Sequence, residues 1–231
     1  MKLVLISDTH TYHSHVPLPE GDVLIHAGDA TWRGTLPELT PFLNWFGKQP
    51  HKHKILIAGN HDHLFQKEPS LARNLIPNNV TYLEDSGVTI NGVNFWGSPW
   101  QPWFHNWAFN LERGPEIRKK WKMIPDDTHV LITHGPPMGI LDEVASFHNN
   151  SMVLEHVGCE ELRDRIKQMA HLKLSVFGHI HEAHGIMSVN GTTFVNASIC
   201  DHSYNVDNLR PPMVVDIPHN TSILGVRKFG P

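Results

Sequence analysis

The chain has 231 residues, 40% hydrophobic and 18% charged, with a formal net charge of −4. That length can bury one sizeable core, and the acidity, with no Lys/Arg run, argues against a protein that grips long DNA or RNA. Only two cysteines occur, without CxxC spacing, and the first apolar run is just Leu3 to Ile6. A disulfide scaffold, a signal peptide and a membrane span are therefore disfavoured, and a cytoplasmic protein of one domain, 1–231, is expected.

Five short apolar runs have the pattern of strands buried on both faces. In chain order they are Lys2–Ile6, Asp22–Ile25, Lys54–Ala58, His129–Thr133 and Lys173–Phe177. Helical spacing separates them, in Leu39, Phe42, Leu43 and Phe46 and again in Leu162, Ile166 and Met169. Strands alternating with helices predict an α/β fold. Val88–Phe95 reads as a hairpin about Asn91-Gly92. Near the end, Thr192–Val195, Pro212–Ile217 and Ile223–Val226 are β-like, and with this hairpin they are expected to build a second sheet packed on the first, with helices outside.

The chemistry lies in the residues directly after each of these five runs. Asp8-Thr9-His10 comes after the first and Gly28-Asp29 after the second. Gly59-Asn60-His61-Asp62, His134-Gly135 and Gly178-His179-Ile180-His181 come after the others. Any one of these alone is an ordinary strand-end turn, because Asp, Asn and Gly are turn formers. All five together place metal-binding residue types at the carboxyl ends of strands, where open α/β sheets bind ligands. Strands lying side by side in one sheet would gather the five loops.

The gathered set has two Asp, one Asn and four His as ligands, with His61 left over. Carboxylate and imidazole without thiolate suit manganese, iron or zinc rather than a structural zinc. Seven ligands are too many for one ion and fit two ions sharing a carboxylate. Two ions roughly 3.5–4 Å apart form a clamp for in-line displacement at phosphorus and make hydroxide available near neutral pH.

The order Asp-x-His, Gly-Asp, Gly-Asn-His-Asp, His and Gly-His-x-His resembles that of the calcineurin-like metallophosphoesterases. The resemblance implies an αββα sandwich: two mixed β-sheets flanked by helices, with a dinuclear metal site at the C-terminal ends of strands. It implies that Asp8, His10 and His181 hold one ion, that Asn60, His134 and His179 hold the other, and that Asp29 bridges. Manganese is the first choice, with Fe, Zn, Ni or Co as alternatives. His61 matches a non-ligand histidine that contacts the phosphate and protonates the leaving oxygen, a task suited to imidazole. Asp62 is a partner that could orient an imidazole, or else a helix N-cap.

Further segments are similar to the MPPED subfamily of cyclic-nucleotide-type phosphodiesterases. They are Gly97–Phe104, Trp107 with Phe109-Asn110, Thr133–Pro137, Val157–Cys159 and His181-Glu182, and the likeness runs from about 2 to 215. The substrate implied is a small phosphodiester or nucleotide, such as a 3′,5′- or 2′,3′-cyclic nucleotide. A phosphomonoesterase or nucleotide pyrophosphatase on the same site is the alternative, and a non-catalytic metal-binding scaffold the remaining one. Trp100, Trp103 and Trp107 could stack on a base, or could cover a core edge. Arg33 could touch a phosphate or lie in a solvated loop. His26 reads as a core histidine, His51 and His53 as a solvated turn, and His13, His15, His63 and His184 as loop residues near the site.

Overall fold

The computed structural model describes residues 1–148, 151–217 and 226–229. Its first half builds one sheet. β1 (Lys2–Ile6), β2 (Val23–Ala27) and β3 (His53–Ile57) run parallel, and short β4 (Thr81–Tyr82) extends them at the edge. Between β2 and β3 lies α1 (Leu36–Gly47), whose N-terminus is closed by a capping box of Thr35 and Glu38. Two short helices, α2 (His63–Lys67) and α3 (Pro69–Asn74), come after β3.

The second sheet starts with the hairpin β5 (Ser86–Ile90) and β6 (Val93–Ser98). Its loop is Asn91-Gly92, both at positive φ (50° and 77°), the conformation a two-residue turn needs to match strand twist. A small parallel ribbon, β7 (Gln101–Pro102) and β8 (Asn110–Leu111), closes the Trp-rich loop. After α4 (Pro115–Trp121), β9 (Val130–Thr133) joins β6 in parallel. An outlying ribbon, β10 (Glu143–His148) and β11 (Ser151–His156), precedes α5 (Glu160–Ile166). Then β12 (Leu174–Phe177), β13 (Gly185–Val189) and β14 (Thr192–Asn196) complete one side. β15 (Met213–Asp216) crosses back to pair antiparallel with β1, and β16 (Val226–Phe229) pairs with β5.

The orders are β15-β1-β2-β3-β4 and β13-β14-β12-β9-β6-β5-β16. The period-two alternation of each strand divides its side chains between two cores. Leu3, Leu5, Ile25 and Ile57 meet Val88, Phe95, Ile132 and Val176 between the sheets. Val4, Ile6, Leu24 and Leu56 pack outward on Leu39, Phe42, Leu43 and Phe46 of α1. On the far side Trp96 and Leu131 pack on Ile117, Trp121 and Leu162. The result is helix, sheet, sheet, helix. Among the described residues no helix is long and apolar enough to cross a membrane.

Two expectations change here. The five ligand-bearing strands do not share a sheet: β1, β2 and β3 lie in one, β9 and β12 in the other. Both sheets present their carboxyl ends at the same place because β1 and β14 touch there: Ser7 N–H donates to Ala197 O at 2.9 Å, and Ile199 N–H to Ser7 O at 2.8 Å. Nor do all the segments expected in the second sheet lie there, although the β5–β6 hairpin does. β14 does join it, but Met213–Asp216 returns to the first, since the open edge of β1 is apolar and needs a partner. Ile223 to Gly225 lie outside the described residues.

Candidate metal centre

The loops after β1, β2, β3, β9 and β12 are stitched to one another by main-chain bonds. Asp8 N–H donates to Gly28 O (2.9 Å), His10 N–H to Asp29 O (3.1 Å) and Gly178 N–H to His134 O (2.9 Å). Asp8, His10, Asp29 and His179 all sit at positive φ, between 40° and 69°. For non-glycine residues this conformation is strained, and it persists only where surroundings over-determine it, as at functional sites. Close approach explains the flanking glycines: a Cβ on Gly178 would overlap the Asp8 carboxylate and Ser7 Oγ, and one on Gly59 the Asp29 carboxylate.

Three groups of ligand atoms result: Asp8 with His10 and His181, His10 with Asp29 and His61, and Asp29 with His134 and His179. Within each, the ligand atoms lie within 4.8 Å of one another. Asp29 Oδ2 stands between the outer groups, 3.8 Å from His10 Nε2 and 3.2 Å from His134 Nε2. Asn60 joins the third group, with Oδ1 2.8 Å from His134 Nε2. All seven ligand residues of the sequence analysis are thus brought together, from both sheets. Asp8, His10, Asp29, Asn60, His134 and His181 are buried; His61 and His179 are half-buried.

The imidazoles are oriented for metal. Nδ1 of His10 lies 3.1 Å from Thr31 O, that of His134 3.0 Å from Ala27 O, and that of His181 3.1 Å from Asp201 O. A carbonyl can only accept, so each Nδ1 carries a proton and Nε2 is the atom turned to the cluster, where it shares a proton with a carboxylate, as His181 does with Asp8 (3.2 Å), or gives a lone pair to an ion. His10 Nε2 and His181 Nε2 then face each other at 3.4 Å. Ring nitrogens that converge beside two buried carboxylates need protons or cations among them, so these residues fit a pair of divalent ions.

The electrostatics agree. Burial alone would raise the Asp8 carboxyl, but its hydrogen bond from His181 and the nearby histidines hold it well below the usual range. Burial is likewise outweighed at Asp29, chiefly by His134. His134 is pushed up to about 9, because the Asp29 carboxylate overrides burial. Burial lowers His10 to about 4 and His179 to about 3. The carboxylates stay charged, and the pocket attracts positive charge.

His61 is held differently. Its N–H donates to Asp29 Oδ1 (2.8 Å), and its Nδ1 meets Trp32 O at 2.7 Å, which leaves Nε2 free. It lines a cavity of about 410 Å³ with Trp103, Phe104, Trp107 and Tyr204, and the Trp107 ring lies 4.3 Å from the imidazole. Asp62 neither orients an imidazole nor caps α2 with its side chain. Its carboxylate accepts from Gly59 N–H, Ala30 N–H, Thr31 N–H and Thr31 Oγ1, tying the β3 loop to the β2 loop. Burial pushes it up to about 6.

Of the other expectations, the solvated reading of Arg33 and the core reading of His26 agree with the structure, and those of Trp100 as a stacking ring and of His51 and His53 as a solvated turn change. Trp100 is not a cavity residue: its Nε1 donates to Asp85 (2.9 Å) and Lys120 lies 4.4 Å over its ring. Arg33 is exposed, its main-chain N–H donates to Glu38, and it is absent from the cavity lining. His51 is buried, with Nε2 3.0 Å from Pro19 O, and His53 opens β3. His26 is a core residue whose Nε2 bonds Thr9 Oγ1 (2.9 Å), while its Nδ1 finds no partner among the described residues.

Trp32 and Tyr204 went unrecognised in the sequence. Their rings meet at 4.5 Å, and Tyr204 packs 5.1 Å from His10 and 5.0 Å from His181. Trp32 stood three residues past Gly28-Asp29 and was within reach of inference. Tyr204 carried no local signal, since its segment joins the site only through the return of the chain to β15.

Comparison with known proteins converges on this arrangement. Residues 1–183 match the model of the calcineurin-like phosphoesterase family. Metallophosphoesterase domain-containing protein 1 of Homo sapiens is 42% identical, over 94% of this chain and 71% of its own. A UPF0046 protein of Caenorhabditis elegans is 39% identical, over 96% of this chain and 77% of its own. In structure, the phosphopantetheinyl hydrolase of Mycobacterium tuberculosis superposes with a TM-score of 0.56 at 18% identity, covering 88% of this chain and 90% of that one; this likeness speaks for the fold. The strand-end cluster and these matches have one reading: the chain belongs to the calcineurin-like phosphoesterases, metal-dependent phosphoric ester hydrolases that use a dinuclear divalent metal site.

Proposed function

We propose that this enzyme is a phosphodiesterase for a small phosphodiester, a cyclic nucleotide with a 3′,5′ or 2′,3′ linkage. The observation that carries the reading is the junction of the ligand cluster with a cavity walled by Trp103, Phe104, Trp107 and Tyr204. Flat rings suit a base, and a base-sized chamber beside the ions suits an ester with a bulky organic arm.

In this scheme Asp8, His10 and His181 would hold one ion, Asn60, His134 and His179 would hold the second, and Asp29 would serve both. Manganese is the ion assigned. When bound, the ions supply Lewis acidity toward the phosphate and a nucleophile near neutral pH. His61 serves as the general acid: its Nδ1 proton is committed to Trp32 O, so the proton it gives up is carried on Nε2, on the cavity side. Its main-chain bond to Asp29 keeps that imidazole in register with the cluster. The diester's single charge can be handled by metal and acid together, without an array of arginines. Two buried, unpaired thiols, Cys159 and Cys200, suit the cytoplasm as the place of action.

The test is hydrolysis of bis-p-nitrophenyl phosphate against p-nitrophenyl phosphate by metal-stripped protein with manganese restored. Manganese-dependent preference for the diester is expected. Preference for the monoester would move the assignment to a phosphomonoesterase on the same site.

A further inference from the structure

The cavity has two chemical halves. Asp29, Asn60, His61, His179 and His181 form its floor, and the rings of Trp103, Phe104, Trp107 and Tyr204 line the walls that rise beside them. Apart from Asp29 and the histidines, two described lining residues carry formal charge, Arg113 and Glu182. The Arg113 guanidinium is already committed, donating to Gly158 O (2.7 Å), to Val157 O (2.8 Å) and to the Glu160 carboxylate. It holds the segment before α5 in place and offers no free cation to a ligand.

Glu182 is the opposite case. It follows the ligand His181 in a single 3-10 turn and is exposed. No hydrogen bond or ion pair engages its carboxylate among the described residues. It stands on the ridge between this cavity and a second of about 380 Å³, which carries a further acid, Glu143. The reacting phosphate brings one negative charge, which the two ions absorb. Any other charge on the substrate meets the faces of Trp103, Phe104, Trp107 and Tyr204, which attract cations, and an unneutralised carboxylate.

We infer that Glu182 sets the charge selectivity of the arm-binding half: the organic part of the diester beyond the reacting phosphate is neutral or cationic, and one bearing a carboxylate or a further phosphate is turned away. The inference rests on the phosphodiester reading and adds to it which arm is accepted. Rejection by a built-in like charge is a specificity device distinct from any attractive contact.

The experiment uses three p-nitrophenyl phosphodiesters that differ only in the second alcohol: choline, ethanol, or glycolate with its free carboxylate. For the wild-type enzyme kcat/KM is expected to be about tenfold lower for the glycolate ester than for the ethyl ester, the size of one like-charge encounter near a protein surface. Glu182→Gln should narrow that ratio to about twofold or less, and added salt should narrow it in the wild type. An unchanged ratio in Glu182→Gln, or a wild-type preference for the glycolate ester, would overturn the inference. So would a fall in metal content of the variant, because Glu182 would then act by positioning His181. If the wild type turns over none of the three, the phosphodiester reading fails separately. Competition by the same compounds against p-nitrophenyl phosphate then tests Glu182, with the glycolate ester again expected to be weakest and to gain most in the variant.

Discussion

The ligand cluster, part of which floors the cavity, and the cavity's aromatic wall are built on different principles. In the cluster Asp8, His10, Asp29, Asn60 and His134 are buried, four ligand residues hold left-handed backbone, and three imidazoles are anchored to carbonyls. On the wall Trp103 and Phe104 are 54% and 51% exposed, in a loop closed by Asn110 and Gln101. The floor is fixed by two sheets at once, whereas the Trp103 to Trp107 part of the wall is fixed by its own short ribbon. On the proposed function, chemistry that needs ligands placed to within a fraction of an ångström would sit on the first, and contact with the organic part of the substrate on the second.

That contrast can be broken most severely at the floor. Asp29→Ala or Asn60→Ala should lower turnover by about 10³-fold or more, with the far-UV spectrum retained, because each removes a charge-stabilising ligand in a water-poor site. Full activity in either variant would remove the dinuclear scheme. Next in size, His61→Ala should keep both ions by elemental analysis yet turn over about 10²-fold more slowly, as loss of a general acid costs. A drop in metal content would instead make His61 a ligand, a role its grouping with His10 and Asp29 also permits.

The wall should respond in binding rather than in chemistry. Trp103→Ala is expected to raise KM about tenfold, the size of one stacking contact, with an unchanged melting temperature. Trp100→Ala should do the reverse, costing about 2–3 kcal/mol of stability by denaturant titration, since its ring packs on the core and its Nε1 holds Asp85. If both tryptophans moved KM alone, Trp100 would belong to the cavity after all.

A last prediction concerns acid. Burial lowers the fully buried His26 to about 3, against an ordinary 6.5. The unfolded chain therefore takes up this proton before the folded one does, and stability is lost as pH falls from about 6.5 toward 3, by up to about 1.4 kcal/mol per pH unit. Above 6.5 both states are neutral and the effect vanishes. His26→Gln keeps a neutral partner for Thr9 and should flatten the slope between pH 6.5 and 5 in denaturant titrations. An unaltered slope would place the acid sensitivity elsewhere.

How much of this was legible depends on whether the signal is local. The β5–β6 hairpin could be read at Asn91-Gly92 because both positions need positive φ, a property of two residues alone. The helix about Leu39 to Phe46 could be read because its apolar spacing is local, and α1 does cover the sheet with those residues. The ligand-type residues were visible because each lies just past an apolar run. Trp100 and Trp103 are indistinguishable in one dimension, three positions apart in the same aromatic stretch. Only the turn of the chain at β7 sends one ring into the core beside Lys120 and the other into the cavity.

The sequence by itself therefore determined the chemistry: which residue types end which strands, that they number enough for two ions, and that thiolate is absent. The tertiary structure alone decided that these strands divide between two sheets, that Asp29 falls between two histidine groups, and that Tyr204 joins the wall. The physical reason is range. Strand-end turns and hairpins are set by neighbouring residues, but the meeting of Ser7 with Ser198, which brings both sheets to one edge, is a contact across most of the chain.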